Sequence, residues 1–206
     1  MFDLEKVLLS LADKRKIFHS EADFQFALAW EMQEIYGDDV KIRLEFPLRI
    51  EYGNSQYIDI VVKYGGQLFP IELKYATDIC SFEEYRLTNQ GAKDIKVYDF
   101  CKDIERVECY IGEHDNCEKG YCIFLTNHIG YSRNSGRKSG AMEFHIYESA
   151  VKTGVLDWGE NIGAGTKKGR ETPITIKGSY TMRWQPYSEV STKGYGKFIF
   201  NFVEVS

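Results

Sequence analysis

Leu4, Val7, Leu8 and Leu11 recur at helical spacing, and the positive run from Lys14 to Lys16 closes the stretch. A short amphipathic helix is predicted there. A second helix is predicted where Phe24, Ala27, Leu28, Met32 and Ile35 form one stripe, opened by Ser20 with Asp23 three residues on and ended by Gly37. From 40 to 52 the period shortens to two (Ile42, Leu44, Phe46, Leu48, Ile50), which predicts a strand, with Pro47 implying an edge position or a bulge. Two further strands flank Gly65-Gly66. Helical period returns between about 89 and 108 at Val97, Phe100, Cys101, Ile104 and Val107, with Gly112 as the stop, and YCIFLT at 121–126 has the character of a buried strand. The last third is less regular: a polar loop SRNSGRKSG, a glycine-rich loop ENIGAGTKKGR, then two strands at 174–184 and 197–205. Helix, three-strand meander, helix, strand and further strands predict an α/β chain whose mixed sheet is flanked by helices. The 206 residues suit one domain.

Within this pattern the stretch YIDIVVKYGGQLFPIELKYA is anomalous, because each of two apolar runs carries acid where a core strand normally has none. If Gly65-Gly66 makes a two-residue hairpin turn, Tyr64 faces Gln67, Asp59 faces Glu72 and Tyr57 faces Lys74. Opposed residues project to the same sheet face, so the two carboxylates meet, and Lys74, two residues beyond Glu72, shares that face. Two such charges about 5 Å apart repel by roughly 3 kcal/mol at an effective dielectric near 20. Folding alone does not favour the arrangement. A divalent cation between the acids converts repulsion into coordination, and Mg²⁺ takes one or two carboxylates while leaving positions for water and phosphate. Lys74 beside such an ion is placed to orient or help deprotonate a water and to offset charge on a phosphate. The alternative stays open that Asp59 and Glu72 are solvated strand positions with Lys74 as an ordinary ion-pair partner. The acid-x-Lys triplet alone decides nothing, since Asp39-Val40-Lys41 and Asp94-Ile95-Lys96 share it.

The ordered pattern resembles the PD-(D/E)XK nuclease superfamily, whose restriction-endonuclease-like core runs helix, three-strand meander, helix, strand. The matching residues are Glu21 in the first core helix, Asp59 on the second strand and Glu72-Leu73-Lys74 on the third, over about residues 17–128, with 129–206 as a C-terminal elaboration. The Pro-Asp dipeptide of the family's name is missing, since Ile58 precedes Asp59. The resemblance implies a nuclease dependent on Mg²⁺ or Mn²⁺, with Asp59, Glu72 and the main-chain carbonyl of Leu73 holding the ion, Lys74 serving the water and Glu21 assisting from the helix. An acid in the first turn is also favoured by the helix dipole whatever the function, so Glu21 has a second reading. Gln90 stands where some relatives carry a supporting glutamine, although the tyrosine that follows it, Tyr98, lies farther along than in those relatives. DNA is expected over RNA on the family's habits alone. A homodimer is compatible with the resemblance.

Composition adjusts this picture little. The net charge of −5 gives no field of the kind a strongly basic nucleic-acid binder has, so phosphate contacts must be local. Candidates are Lys93 near the start of the third helix, Arg133, Arg137 and Lys138 in one Gly/Ser-rich loop, and Lys167 and Lys168 in another. Ordinary solvated loops read the same way. Five cysteines without a disulfide-scaffold spacing, and a start lacking a secretory signal, point to reduced thiols in cytoplasm. Cys109, His114, Cys117 and Cys122 lack the paired knuckles of common zinc sites. No run approaches membrane-spanning length. The functional expectation is hydrolysis of nucleic-acid phosphodiesters, with two rivals: a binding module on the same fold that does not cut, and an unrelated α/β binding protein.

Overall fold

A computed structural model of the chain describes residues 1–48, 56–136 and 138–206. The first helix, α1 (Leu4–Lys14), is capped by the Asp3 carboxylate, which accepts from the Lys6 amide, and it buries Leu4, Val7, Leu8 and Leu11 as its period requires. In α2 (Glu21–Tyr36) the Ser20 hydroxyl accepts from the Asp23 amide, and Gly37 at φ 58° ends the helix in a conformation that a side chain would strain. One stripe residue departs from expectation. Ile35 is exposed, while Glu31 is buried and held by Ser10 and Lys14.

Three strands follow as an antiparallel meander: β1 (Val40–Pro47), β2 (Tyr57–Tyr64) and β3 (Gln67–Ala76). Gly65 and Gly66, at φ 57° and 87°, make the two-residue turn, and Tyr64 faces Gln67 as the turn dictates. The strand predicted over 40–52 is seen as far as Pro47, and its positions 49–52 lie outside the described residues. A small hairpin, β4 (Cys80–Phe82) and β5 (Tyr85–Leu87), comes next. Three-residue strands are too short for a period-two signal, so the pattern does not predict it. The hairpin displaces the helix expected from about 89: α3 (Lys93–Glu113) starts later and runs through Gly112. A glycine in the last turn costs about 1 kcal/mol, which the buried face of a 21-residue helix outweighs.

Beyond it, β6 (Gly120–Thr126) lies parallel to β3, so α3 is the crossover between them. Gly120 admits that crossing, because a Cβ there would sit 2.5 Å from Val107 Cγ1 and 2.8 Å from the Pro70 carbonyl oxygen. The rest comprises β7 (Val151–Leu156), the single turn α4 (Ala164–Lys167), β8 (Ile174–Thr181), β9 (Trp184–Glu189) and β10 (Lys197–Val205). The single strand expected over 174–184 is therefore two. Its first part pairs with β7 in a separate two-stranded sheet, and the chain turns away at Met182, whose amide donates to the Ala150 carbonyl.

The main sheet is mixed, in the order β1-β2-β3-β6-β10-β9, so β1 holds the edge position that Pro47 implies and two C-terminal strands complete the sheet. On one face Ile60, Val62, Ile71, Leu73, Tyr75 and Ile123 pack with the apolar sides of α1 and α2. On the other, Ala76, Cys122, Phe124, Val203 and Val205 pack with α3 and β8. Since side chains alternate along a strand, Glu72 and Lys74 face the α3 side. No described helix is long and apolar enough to cross a membrane.

Candidate functional site

The predicted register holds, and then it stops. The β2–β3 ladder runs from Tyr64↔Gln67 to Ile60↔Ile71, and beyond that pair the strands diverge. Every buried backbone donor needs a partner, and past the fork side chains provide it. The Leu73 amide donates to Asp59 Oδ2 at 2.7 Å, and the Tyr75 amide donates to Glu21 Oε2 at 2.8 Å. On the opposite arm Gln25, buried in α2, donates its carboxamide to the Asp59 carbonyl at 2.7 Å and to Glu45 at 2.8 Å. Glu45 is the β1 residue omitted from the ladder between the Leu44↔Ile60 and Phe46↔Ile58 pairs, and it sits at φ 48°. The irregularity thus falls beside Asp59. Neither the expected Asp59–Glu72 nor the expected Tyr57–Lys74 pairing is made: the ladder ends at Ile60↔Ile71, Asp59 turns to the Leu73 amide, Tyr57 faces Pro47 on β1, and Lys74 turns to α3.

Four of the expected residues, Asp59, Glu72, Lys74 and Glu21, are brought to this fork, together with the Leu73 carbonyl. Two that no motif marked join them. Lys74 Nζ lies 2.8 Å from Asp103 Oδ2 and donates to the Leu73 carbonyl at 3.1 Å. Arg106 Nη1 donates to Glu72 Oε1 at 2.6 Å and to Asp103 Oδ1 at 3.1 Å. Asp103 is three residues from both Phe100 and Arg106 on α3 and belongs to the same buried stripe as Phe100, Ile104 and Val107. A carboxylate in the middle of an apolar helical stripe is the signal that could have found it.

Glu72 is 1% exposed and its Oε2 receives no hydrogen bond from a donor group; its carboxyl stands close enough to Asp59 for the two to bond only when one of them is protonated. Burial, then the charges of Asp103 and Asp59, push its carboxyl well above the ordinary carboxylate range, with Arg106 pulling the other way. Burial also raises Asp59 against the pull of Lys74 and the Leu73 amide, and raises Glu21 against Lys74 and the Tyr75 amide. For Lys74 burial works downward, but the charges of Asp103, Glu21 and Asp59 more than reverse it, so the ammonium is held charged. Arg106 is raised in the same way by Glu72 and Asp103.

Four carboxyl groups therefore meet two cationic side chains, so full ionisation would leave two negative charges uncompensated within the set, a conflict expressed in the raised carboxyls, with Lys96 of α3 exerting a further pull on Glu21. That conflict and the Glu72 oxygen without a donor fit a hard divalent cation. Among the described residues no three His, Cys, Asp or Glu side chains are gathered as a ready cage. The available donor set is instead two carboxylates, Asp59 and Glu72, and the Leu73 carbonyl, a partial shell of the kind Mg²⁺ completes with water.

The remaining candidates lie apart. Gln90 precedes α3 instead of opening it; its amide donates to the Thr77 carbonyl, its side-chain oxygen is buried without a partner, and no described bond joins it to the fork. Lys93 and Arg133 line a cavity of about 180 Å³ with His128 and Tyr131, Lys93 Nζ standing 2.9 Å from His128 Nε2. His128 Nδ1 is in turn 3.2 Å from the buried Asp78. Arg137 lies outside the described residues, Lys138 is exposed, and Lys167 and Lys168 sit at the end of α4. The four zinc candidates are dispersed: Cys109 is exposed on α3, Cys117 and Cys122 belong to different apolar clusters, and His114 stacks on Tyr110. All five thiols are free. Compared with known protein families, characterised proteins and solved structures, the chain matches none.

Proposed function

We propose that the chain is a metal-dependent phosphodiesterase acting on nucleic acid, DNA before RNA, on a restriction-endonuclease-like variant of the mixed α/β fold. The observation that carries the reading is the fork between β2 and β3, where Asp59 and Glu72 stand on adjoining strands with charge that full ionisation leaves uncompensated and a Glu72 oxygen without a donor. Asp59, Glu72 and the Leu73 carbonyl would hold Mg²⁺ or Mn²⁺, which when bound supplies Lewis acidity toward a phosphoryl oxygen and lowers the pKa of a coordinated water.

The chain's own residues divide the remaining work. Asp59 and Glu21 fix the edge of β3 that β2 leaves unpaired, through its Leu73 and Tyr75 amides. Lys74, held protonated by three acids, offsets charge developing on the phosphate and orients the attacking water. A lysine in that state is a poor base, so the proton leaves through another acceptor. Asp103 and Arg106 position Lys74 and Glu72 respectively.

One observation favours the rival reading of a module that binds and does not cut. Arg106 already occupies Glu72 Oε1 and Lys74 already occupies the Leu73 carbonyl, a closed set of ion pairs that satisfies much of the site from within. The test is incubation with labelled single- and double-stranded DNA and RNA with Mg²⁺ or Mn²⁺, wild type beside Asp59→Ala and Lys74→Ala. Metal-dependent cleavage lost in both variants is expected. Cleavage that survives both refutes the assignment, and binding without cleavage moves the rival ahead.

A further inference from the structure

A second conflict of like charges lies on the sheet face that carries Asp59, and it has the opposite sign. Lys41 of β1 is directly opposed to Lys63 of β2, and Arg43 is opposed to Val61. Directly opposed like charges disfavour sheet formation. No acidic partner relieves this pair among the described residues: Lys41 and Lys63 make no ion pair, and Arg43 bonds only the neighbouring Ile42 carbonyl. Lysine on an edge strand has a familiar use in blocking strand addition, which would account for Lys41. It does not account for Lys63, because β2 is interior.

The three cations surround a cavity of about 320 Å³, completed by Phe46, Val61, Leu68, Tyr110 and His114. Tyr110 and His114 are stacked, their ring centroids 4.0 Å apart. No acid lines the cavity, on a chain whose net charge is −5. Asp59 and Val61 both lie toward α3, the first near Asp103 and the second against Tyr110, and the Arg43 row lies about 7 Å and the Lys41–Lys63 row about 13 Å along β2 from Asp59. Those separations are the length of a few nucleotides of backbone.

We propose that Lys41, Arg43 and Lys63, all exposed, form a phosphate track that receives a nucleic-acid strand at the margin of the apolar cluster of Ile58, Val61 and Tyr110. The binding surface does not rest on the phosphodiesterase reading. A polyanion resolves the Lys41–Lys63 conflict as a divalent ion resolves that of Asp59 and Glu72. Tyr110 is buried, so contact with sugar and base surfaces falls to the half-buried Phe46 and His114, which tolerate any sequence because every base offers a π-face.

The test measures anisotropy of fluorescent single-stranded and duplex DNA with the full chain in chelator, across a range of salt. For a Lys41→Ala/Arg43→Ala/Lys63→Ala variant, binding is expected to weaken and the log–log salt slope to become shallower by about 2 to 3 units, since each phosphate contact contributes about 0.7 on single strands and about 0.9 on duplex. A Lys41→Glu variant separates binding from folding: an ion pair with Lys63 replaces a repulsion, so its melting temperature is expected to hold or rise while its affinity falls. An unchanged slope in the triple variant overturns the proposal, as does wild-type binding to anionic vesicles or polyglutamate with none to nucleic acid. Cleavage is scored separately with Mg²⁺. Track-dependent binding without cleavage would sink the phosphodiesterase reading and leave the track standing, whereas cleavage with an unchanged slope would do the reverse.

Discussion

At Lys74 a single side chain is asked to be charged, buried and aimed at once. Its ammonium reaches Asp103 and the Leu73 carbonyl, and burial of the stem removes the alternative of hydration. Lys74→Ala is expected to lower the metal-dependent cleavage rate by about 10²–10³, the usual loss when one preorganised charge partner of a transition state is removed. Lys74→Arg, which keeps charge but not shape, should recover only part of it in the same single-turnover assay. Glu72 makes a different prediction, read by melting instead of activity. With Mg²⁺ or Mn²⁺ at about a hundred times its Kd the wild type should gain about 2.7 kcal/mol, a rise in Tm of roughly 5–10 °C for a chain of this size. Glu72→Gln should abolish most of that rise, and an unaltered rise would show that the ion binds elsewhere. The neighbourhood of Asp59, Glu72 and Lys74 was legible in sequence because the Gly-Gly turn fixes the ladder up to Ile60↔Ile71, although the direct Asp59–Glu72 pair counted from it is not formed. Asp103 and Arg106 were not, because a helix three elements further along the chain offers no register to count.

At the scale of elements, the site exists because a hairpin opens at one end. The ladder from Tyr64↔Gln67 to Ile60↔Ile71 supplies rigidity, and the fork beyond it frees the Leu73 and Tyr75 amides and the Asp59 carbonyl for side-chain partners. Gln25 is the brace on the β2 side. Gln25→Ala leaves the Asp59 carbonyl and part of Glu45 unsatisfied in a half-buried place, which should cost about 1–3 kcal/mol and lower Tm by roughly 2–10 °C. Cleavage should fall with it because Asp59 loses its support, whereas a melting curve equal to wild type would show that the brace is dispensable. The hairpin itself was predictable, since Gly65-Gly66 demands one register. The fork was not: nothing in the local pattern distinguishes Ile60–Ile71 as the last pair, and the competition between continued pairing and capture by Asp59, Glu21 and Gln25 is settled by residues 14 to 54 positions apart. Three-residue strands such as β4 and β5 stayed hidden for a simpler reason, having too few positions to show a period.

For the whole molecule, the clustered acids impose a pH dependence. Glu21, Asp59 and Glu72 have folded-state pKa values above the ordinary carboxylate range, chiefly through burial. The folded state then binds more protons than the unfolded one, so this contribution to stability is complete below the ordinary values and is lost as pH rises through the raised ones. Lys74 and Arg106, both raised by the neighbouring acids, contribute fully throughout that range and weaken only at strongly alkaline pH. In chelator, Tm should therefore decline from mildly acidic toward neutral pH, and divalent metal should raise Tm more at neutral than at acidic pH because it competes with protons for the same oxygens. A metal effect independent of pH would place the ion away from these carboxylates. The sequence by itself determined what is local and periodic: the faces of α1 and α2, the Gly-Gly register, the edge position of β1, and hence the neighbourhood of Asp59, Glu72 and Lys74. Only the tertiary structure decided where pairing ends, that C-terminal strands complete the main sheet, and that α3 brings Asp103 and Arg106 onto the acids. Those outcomes depend on burial and charge shared between distant segments, where the free energy belongs to the assembled set and to no single stretch of chain.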